Sequence, residues 1–335
     1  MEAQEDLQVD LNTESLLEIY WSMVLSRRLD ERAWVLHRQG KIAFHISCIG
    51  HEAAQVGAAM ALRRGQDWIV PYYRDLAMML ALGFTPKEFM LGVMGKKGEP
   101  NSGARQMPSH WSVRRMNIVT HSSPVATQAP HASGIGFAIK MRGDDAVVLT
   151  SIGEGSTSQG EWYEAVNWAA IHQLPVVFMV ENNLYAISVR QERQMAVDHV
   201  ADKAAGLGLP GVTVDGLDAL AVHRAITEAV SRARSGGGPT IVETMVHRMT
   251  PHSSDDDDRS YRPREELEAL KAQDPLLLQR DKLMDMGVLS QEAEREVQER
   301  AKREVGEAVD FATGAPYPEV SEASYPVYAE DRIDD

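Results

Sequence analysis

Between Ala146 and Tyr185 the chain reads strand, glycine turn, helix, strand, and then two adjacent asparagines. Ala146-Val147-Val148-Leu149-Thr150-Ser151 is a short apolar strand that runs into Gly153-Glu154-Gly155. Residues Gln159 to His172 follow with helical character, Pro175 ends the gap, and Val176-Val177-Phe178-Met179-Val180 closes on Glu181-Asn182-Asn183. A strand–helix–strand unit this short makes two parallel strands joined by a right-handed crossover. Glu154 and Asn183 then fall just past the carboxyl ends of their strands, the edge where open parallel sheets bind ligands.

One carboxylate and one amide oxygen on the same rim suit a magnesium ion that shares a diphosphate. The helix N-terminus and the small residues Gly155 and Ser156 before it offer backbone N–H groups to the anion. Gly-Glu-Gly alone is most often an ordinary strand-to-helix turn. The pairing with Asn182-Asn183, with 26 residues from Ser156 through Glu181, makes it specific. A P-loop is excluded, because no Lys-Ser/Thr follows Gly160. This Gly-acidic-Gly turn with Asn-Asn one helix and one strand later resembles the thiamine diphosphate motif, with Glu154 where Asp is usual.

Charge narrows the partners. The 335 residues carry 34 basic and 49 acidic side chains, net −15, which argues against nucleic acid. The lone Cys48 leaves no intramolecular disulfide and lies in an apolar stretch, as a small buried hydrophobe. No run reaches the length of a membrane span. Glu2, Glu5, Asp6 and Asp10 give the N-terminus the wrong sign for a targeting peptide. The expectation is a reduced, soluble, cytoplasmic protein with no membrane partner.

Periodicity sets the organisation. Residues 1–12 read as a flexible acidic arm, and Thr13 caps a long helix to about Gln39. Further helices are expected at Glu52–Leu62, Leu76–Leu82, Pro86–Leu91, Pro130–Met141 and Leu217–Arg234, with strands at Trp68–Val70, Val212–Val214 and Thr240–Val246. The span 95–128 is rich in Gly, Ser, Pro and His, and so long an irregular stretch inside a domain points to function. The fold class is α/β, a mostly parallel twisted sheet flanked by helices, over residues 13–262. Helices at Arg264–Ala272, Leu276–Met286 and Gln291–Ala312 form a C-terminal region, 263–314, before a tail at 315–335.

Other candidates have plainer readings. Arg74, after the Trp68–Val70 strand, fits a phosphate but by itself reads as a surface salt bridge. Asp255 to Asp258 read as a repelling, solvated loop, and the spacing of an EF-hand is lacking. His252 can carry a proton near neutral pH. His37, His172 and His223 lie on helical faces as structural groups. Gly50-His51-Glu52 is not a zinc motif.

Together these segments resemble the alpha subunit of the decarboxylating component of 2-oxo acid dehydrogenase complexes, from about Tyr20 to Arg303. The resemblance rests on Gly50-His51-Glu52-Ala53, Pro71-Tyr72-Tyr73-Arg74-Asp75, Arg105-Gln106-Met107-Pro108, Ser122 to Gln128, Gly153-Glu154-Gly155, Glu181 to Ser188, and His252-Ser253-Ser254. Arg-Gln-Met-Pro and Ser-Ser-Pro-x-Ala-Thr-Gln resemble the branched-chain type; pyruvate and acetoin types are the runners-up. The resemblance implies a thiamine diphosphate-binding fold. It implies magnesium held by Glu154, Asn183 and the carbonyl of Tyr185. The diphosphate end would be held by Tyr73, Arg74, Gly155, Ser156 and His252. Ser123 and Val125 would touch the middle of the cofactor, and Phe44, Tyr72 and Val125 would line the substrate pocket. Ser122, Pro124, Thr127 and Gln128 match a potassium site.

His252 is the implied catalytic residue. The implied partners are a beta subunit, in a heterotetramer of two alpha and two beta chains, and a lipoyl acyltransferase. The carboxylate that activates the aminopyrimidine is expected from the beta chain. Two departures stand out: Glu181 where some members place a diphosphate-gripping Arg, and Tyr72 in place of a Gln. Ser253 matches a serine phosphorylated in mitochondrial relatives. A non-catalytic assembly subunit is the reading from a different class, and the intact Glu154, Asn183 and His252 set argues against it.

Overall fold

The structure, a computed structural model, describes residues 11–121 and 123–324. The chain begins with α1 (Thr13–Arg38) and α2 (Glu52–Met60), then β1 (Trp68–Val70), α3 (Leu76–Leu82) and α4 (Pro86–Val93). A long irregular span leads to α5 (Gln128–Arg142), β2 (Val148–Gly153), α6 (Gly160–Ile171) and β3 (Val176–Asn182). A small hairpin, β4 (Tyr185–Ala186) and β5 (Val189–Arg190), precedes α7 (Lys203–Leu207), β6 (Gly211–Asp215), α8 (Ala219–Arg234) and β7 (Thr240–Met245). The helices α9 (Arg264–Lys271), α10 (Pro275–Asp285) and α11 (Gln291–Gly314) complete the sequence.

Five strands form one parallel sheet in the order β1-β2-β3-β7-β6. The apolar runs of β2 and β3 are buried on both faces, as parallel strands require. Val147, Leu149, Val177 and Met179 pack toward α1, α2 and α8. Val148, Val176, Phe178 and Val180 face α5 and α6. The chain moves from β2 to β3 in one direction and from β6 to β7 in the other. Right-handed crossovers therefore put α6 and α8 on opposite faces. Their reversal opens the sheet's carboxyl edge near the ends of β3 and β7.

Close packing explains the small residues of α2. A Cβ on Gly57 would lie 2.4 Å from the carbonyl oxygen of Ala219, so α2 meets the start of α8 backbone to backbone. In α10 and α11, Leu283, Ala301, Val305 and Ala308 pack into the same core as α1 and α4. The first helix is capped by Asn12, whose side chain accepts from Ser15 N at 2.8 Å, and not by Thr13. No described helix is long and apolar enough to cross a membrane. Residues 1–10 of the acidic arm, Ser122 and residues 325–335 of the tail lie outside the described residues.

Candidate active site

Four strand ends converge on one rim. After β2 the chain makes a single 3-10 turn, Glu154–Ser158, before α6 begins at Gly160. The N–H groups of Gly155 and Ser156 thus belong to this turn, ahead of a helix that begins within a residue of the Gln159 expected from the sequence. A Cβ on Gly155 would sit 2.7 Å from the Ala186 Cβ, so only glycine lets the hairpin after β3 close over the turn. Glu154 is 1% exposed. Its Oε2 accepts from Asn183 N at 3.3 Å, while Oε1 is buried and meets no donor among the described residues. Burial pushes its carboxyl up to about 7. A buried carboxylate oxygen without a hydrogen bond, at the strand-end rim, is available as a ligand atom.

Beside it, Asn183 accepts from Tyr185 N at 3.3 Å, and Leu184 between them adopts a left-handed backbone, φ 68°. That conformation is strained for leucine and turns the chain back over the rim. Alternation along β3 separates Glu181 from Asn182, and Asn183 follows the last residue of the strand. Glu181 points inward, where its Oε2 accepts from His51 Nδ1 at 2.6 Å and Gln55 Nε2 at 2.9 Å. Asn182 is buried on Glu243 (2.6 Å) and Gln191 (2.7 Å). Asn183 reaches the rim.

The segment after β1 carries Arg74, which is 1% exposed and enters no salt bridge among the described residues. It donates to the Tyr72 hydroxyl at 3.3 Å, to the Ser47 carbonyl, and to the His252 carbonyl and Nδ1 at 3.3 and 3.5 Å. Burial, with the charges of Arg74 and Arg248, depresses His252 to about 4. The imidazole is therefore neutral at pH 7. With Nδ1 accepting from Arg74, its proton sits on Nε2. The Tyr73 ring lies between two histidines, its centroid 6.1 Å from His252 and 6.4 Å from His121.

The chain matches the dehydrogenase E1 component family over residues 20–321. It belongs to that family. It is 50% identical over 319 residues to the 2-oxoisovalerate dehydrogenase subunit alpha of Bacillus subtilis, covering 95% of this chain and 97% of that one. The 3-methyl-2-oxobutanoate dehydrogenase subunit alpha of Mycobacterium tuberculosis is 39% identical over 321 residues, 96% of this chain and 84% of that one. The pyruvate dehydrogenase E1 component subunit alpha of Staphylococcus aureus is 39% identical over 310 residues, covering 92% and 80%.

In this E1 chain the structure gathers Tyr73, Arg74, Glu154, Gly155, Asn183, Tyr185 and His252 around one rim. Tyr72 is 4% exposed and lies beneath it, supporting Arg74 through its hydroxyl. Phe44 is half-buried, and the neighbouring His45 is stitched to the His252 loop: its N donates to Ser254 Oγ at 3.0 Å and its O accepts from Ser254 N at 2.8 Å. Val125 and Ser123 are exposed, with Ser123 Oγ 2.8 Å from His110 Nε2. Thr127 Oγ1 donates to the Pro124 carbonyl at 3.3 Å. Gln128 is buried, donates to the Ser151 carbonyl at 3.3 Å, and leaves its own Oε1 without a donor.

Two readings are corrected, and the rejection of a zinc site at His51 and Glu52 stands. Arg74 is buried with no carboxylate partner among the described residues, where the residue by itself suggested a surface salt bridge. The four aspartates are not a freely solvated run: Asp256 accepts from His252 N at 2.8 Å and from the Tyr261 hydroxyl, and Asp258 is 6% exposed. His51 and Glu52 have structural partners, Glu52 pairing with Arg27 at 2.5 Å. Sequence reasoning passed over Arg248, three residues beyond β7 and buried at the same rim. Only its place four residues before His252 could have drawn attention to it.

Proposed function

We propose that this chain is the alpha subunit of a branched-chain 2-oxo acid dehydrogenase, decarboxylating its substrate with thiamine diphosphate and magnesium and passing the acyl group to a lipoyl acyltransferase. The observation that carries it is the buried, unpartnered Glu154 Oε1 beside Asn183 on the strand-end rim of an E1-family fold. The likeness to the Bacillus subtilis chain supports the branched-chain substrate.

The residues fit the cofactor. Glu154 and Asn183 would hold magnesium through side chains and Tyr185 through its carbonyl. Tyr73, Arg74, Gly155, Ser156 and His252 would hold the diphosphate, and Ser123 and Val125 its middle. Thiamine diphosphate, when bound, supplies the nucleophilic carbon and the electron sink that let carbon dioxide leave. With Nδ1 engaged by Arg74, His252 would offer its Nε2–H as a donor to the bound cofactor or substrate, and its low pKa keeps that ring from holding a second proton. Phe44 and Val125 would offer apolar surface to the substrate's side chain, with Tyr72 as the third expected lining residue. Pro124, Thr127 and Gln128, with Ser122, would hold potassium, and the unpartnered Gln128 Oε1 suits that role.

The partner is a beta chain, in an assembly of two alpha and two beta subunits. Purified alone, the alpha chain is expected to give no decarboxylation of any 2-oxo acid, because the carboxylate that activates the aminopyrimidine comes from the beta chain. Robust turnover by the alpha chain alone would overturn this partnership. In the reconstituted enzyme, going from pyruvate to 3-methyl-2-oxobutanoate buries two more carbons. That gain is about 1.5 kcal/mol, near tenfold in kcat/KM. A steady-state panel of 2-oxo acids in which pyruvate wins would move the chain to the type named for the Staphylococcus relative.

A further inference from the structure

We propose that Arg248 is a second guanidinium ligand of the diphosphate, on the metal-binding side of the rim, opposite Arg74. This rests on the thiamine diphosphate reading of the site. Arg248 is 1% exposed. Its Nη2 donates to the Tyr261 hydroxyl at 2.9 Å, while Nε and Nη1 are buried and meet no acceptor among the described residues. The guanidinium carbon lies 5.5 Å from the Tyr185 ring centroid and 5.8 Å from that of Tyr261, so the charge rests against two rings whose centroids are themselves 6.1 Å apart. Tyr185 belongs to the loop that carries Asn183, which places Arg248 beside the expected metal ligands.

Arg27 shows how this chain treats a buried structural arginine. It is paired with Glu52 at 2.5 Å and with Asp274 at 2.8 Å. Arg74 and Arg248 have no such partner among the described residues, and an unpaired buried charge is costly. The two also feel one another: burial, then the Arg74 charge, pushes the Arg248 pKa down. Both charges act on Glu154 and on His252. Two like charges buried at one rim, with a vacant carboxylate position between strand ends, call for a multiply charged anion. Glu181 faces inward and contributes no positive charge there, so Arg248 takes that part.

Arg248 also ties Tyr261, which donates to Asp256, which accepts from His252 N. A purely structural role would act through that chain, and Tyr261→Phe removes it while keeping the guanidinium. The test is calorimetry on the alpha–beta assembly, with magnesium and either thiamine diphosphate or inorganic pyrophosphate. Arg248→Gln is expected to weaken both about tenfold to a hundredfold and to flatten the salt dependence. Arg248→Lys should fall between. Tyr261→Phe should change either affinity less than about threefold. Equal losses in Arg248→Gln and Tyr261→Phe, or full affinity in Arg248→Gln, would overturn the inference while leaving the cofactor reading intact. If the wild-type assembly bound no thiamine diphosphate, both would fall. Arg248→Lys, which keeps charge and bulk, gives the answer should Arg248→Gln fail to fold.

Discussion

Glu154→Ala is expected to weaken magnesium-dependent binding of thiamine diphosphate to the alpha–beta assembly by at least about a hundredfold, near 3 kcal/mol. Glu154 supplies the one charged oxygen among the proposed protein ligands, and a hard divalent ion at a nearly dry rim depends on it. Glu154→Gln keeps the shape and loses the charge, so it should behave almost as badly. The same carboxyl gives a pH signature. Burial holds it protonated up to about 7 in the empty chain, and magnesium needs it ionised. Calorimetry between pH 5.5 and 7.5 should show affinity falling by up to about tenfold per unit below 7. A flat profile with an unchanged dissociation constant in Glu154→Ala would remove the metal site from this rim.

Stability follows in the opposite sense. The folded pKa lies above that of the unfolded chain, so the neutral carboxyl's contribution is complete below the unfolded value. It is lost as pH rises through about 7. The amount is on the order of 3 kcal/mol, and magnesium binding should offset it. Urea midpoints of the chain with and without magnesium and cofactor should therefore diverge most above pH 7.

Glu243→Ala should be the most destabilising single change near the site, by about 3–5 kcal/mol. The side chain is fully buried on β7. Its Oε1 accepts from Asn182 Nδ2 at 2.6 Å and Val200 N at 3.0 Å, and its Oε2 from Ala201 N at 3.1 Å and Thr213 Oγ1 at 3.2 Å. Alanine would strand four donors from three elements and leave a cavity. Asn182 would lose one of its three side-chain hydrogen bonds, so Asn183 next to it should drift and cofactor affinity should fall too. Thermal unfolding should drop by roughly 6–12 °C. A shift of under 2 °C would mean that water replaces the carboxylate at no cost.

The strands and helices were legible because their apolar periods are strong. Trp68–Val70, Leu76–Leu82 and the two strands of the opening unit came out within a residue or two. The placing of β7 between β3 and β6 was not legible, because it depends on which strands share a face of α8. The glycine turn before a helix at Gln159 was legible, but not that Glu154–Ser158 winds as a 3-10 turn, since propensity does not mark one. Glu154 and Asn183 were found through spacing alone. The inward turn of Glu181 follows from alternation along β3, but its partners His51 and Gln55 lie more than a hundred residues away. Arg248 carried no local signal, because its burial without a counter-ion exists only in three dimensions.

The connection between α1 and α2 lies alongside the chain that leaves β7. Met249 N donates to the Ile49 carbonyl at 3.2 Å, His247 N to that of Gly50 at 3.4 Å, and Ser254 N to that of His45. These ties act as a splint across eight residues, so the strip bearing Phe44 and the strip bearing Arg248 and His252 move as one body. Asp30 of α1 accepts from Cys48 N at 2.7 Å, so a shift of that residue would reach the His252 loop through the same strip. Hydrogen exchange at the amides of Met249 and Ser254 should accordingly rise and fall together.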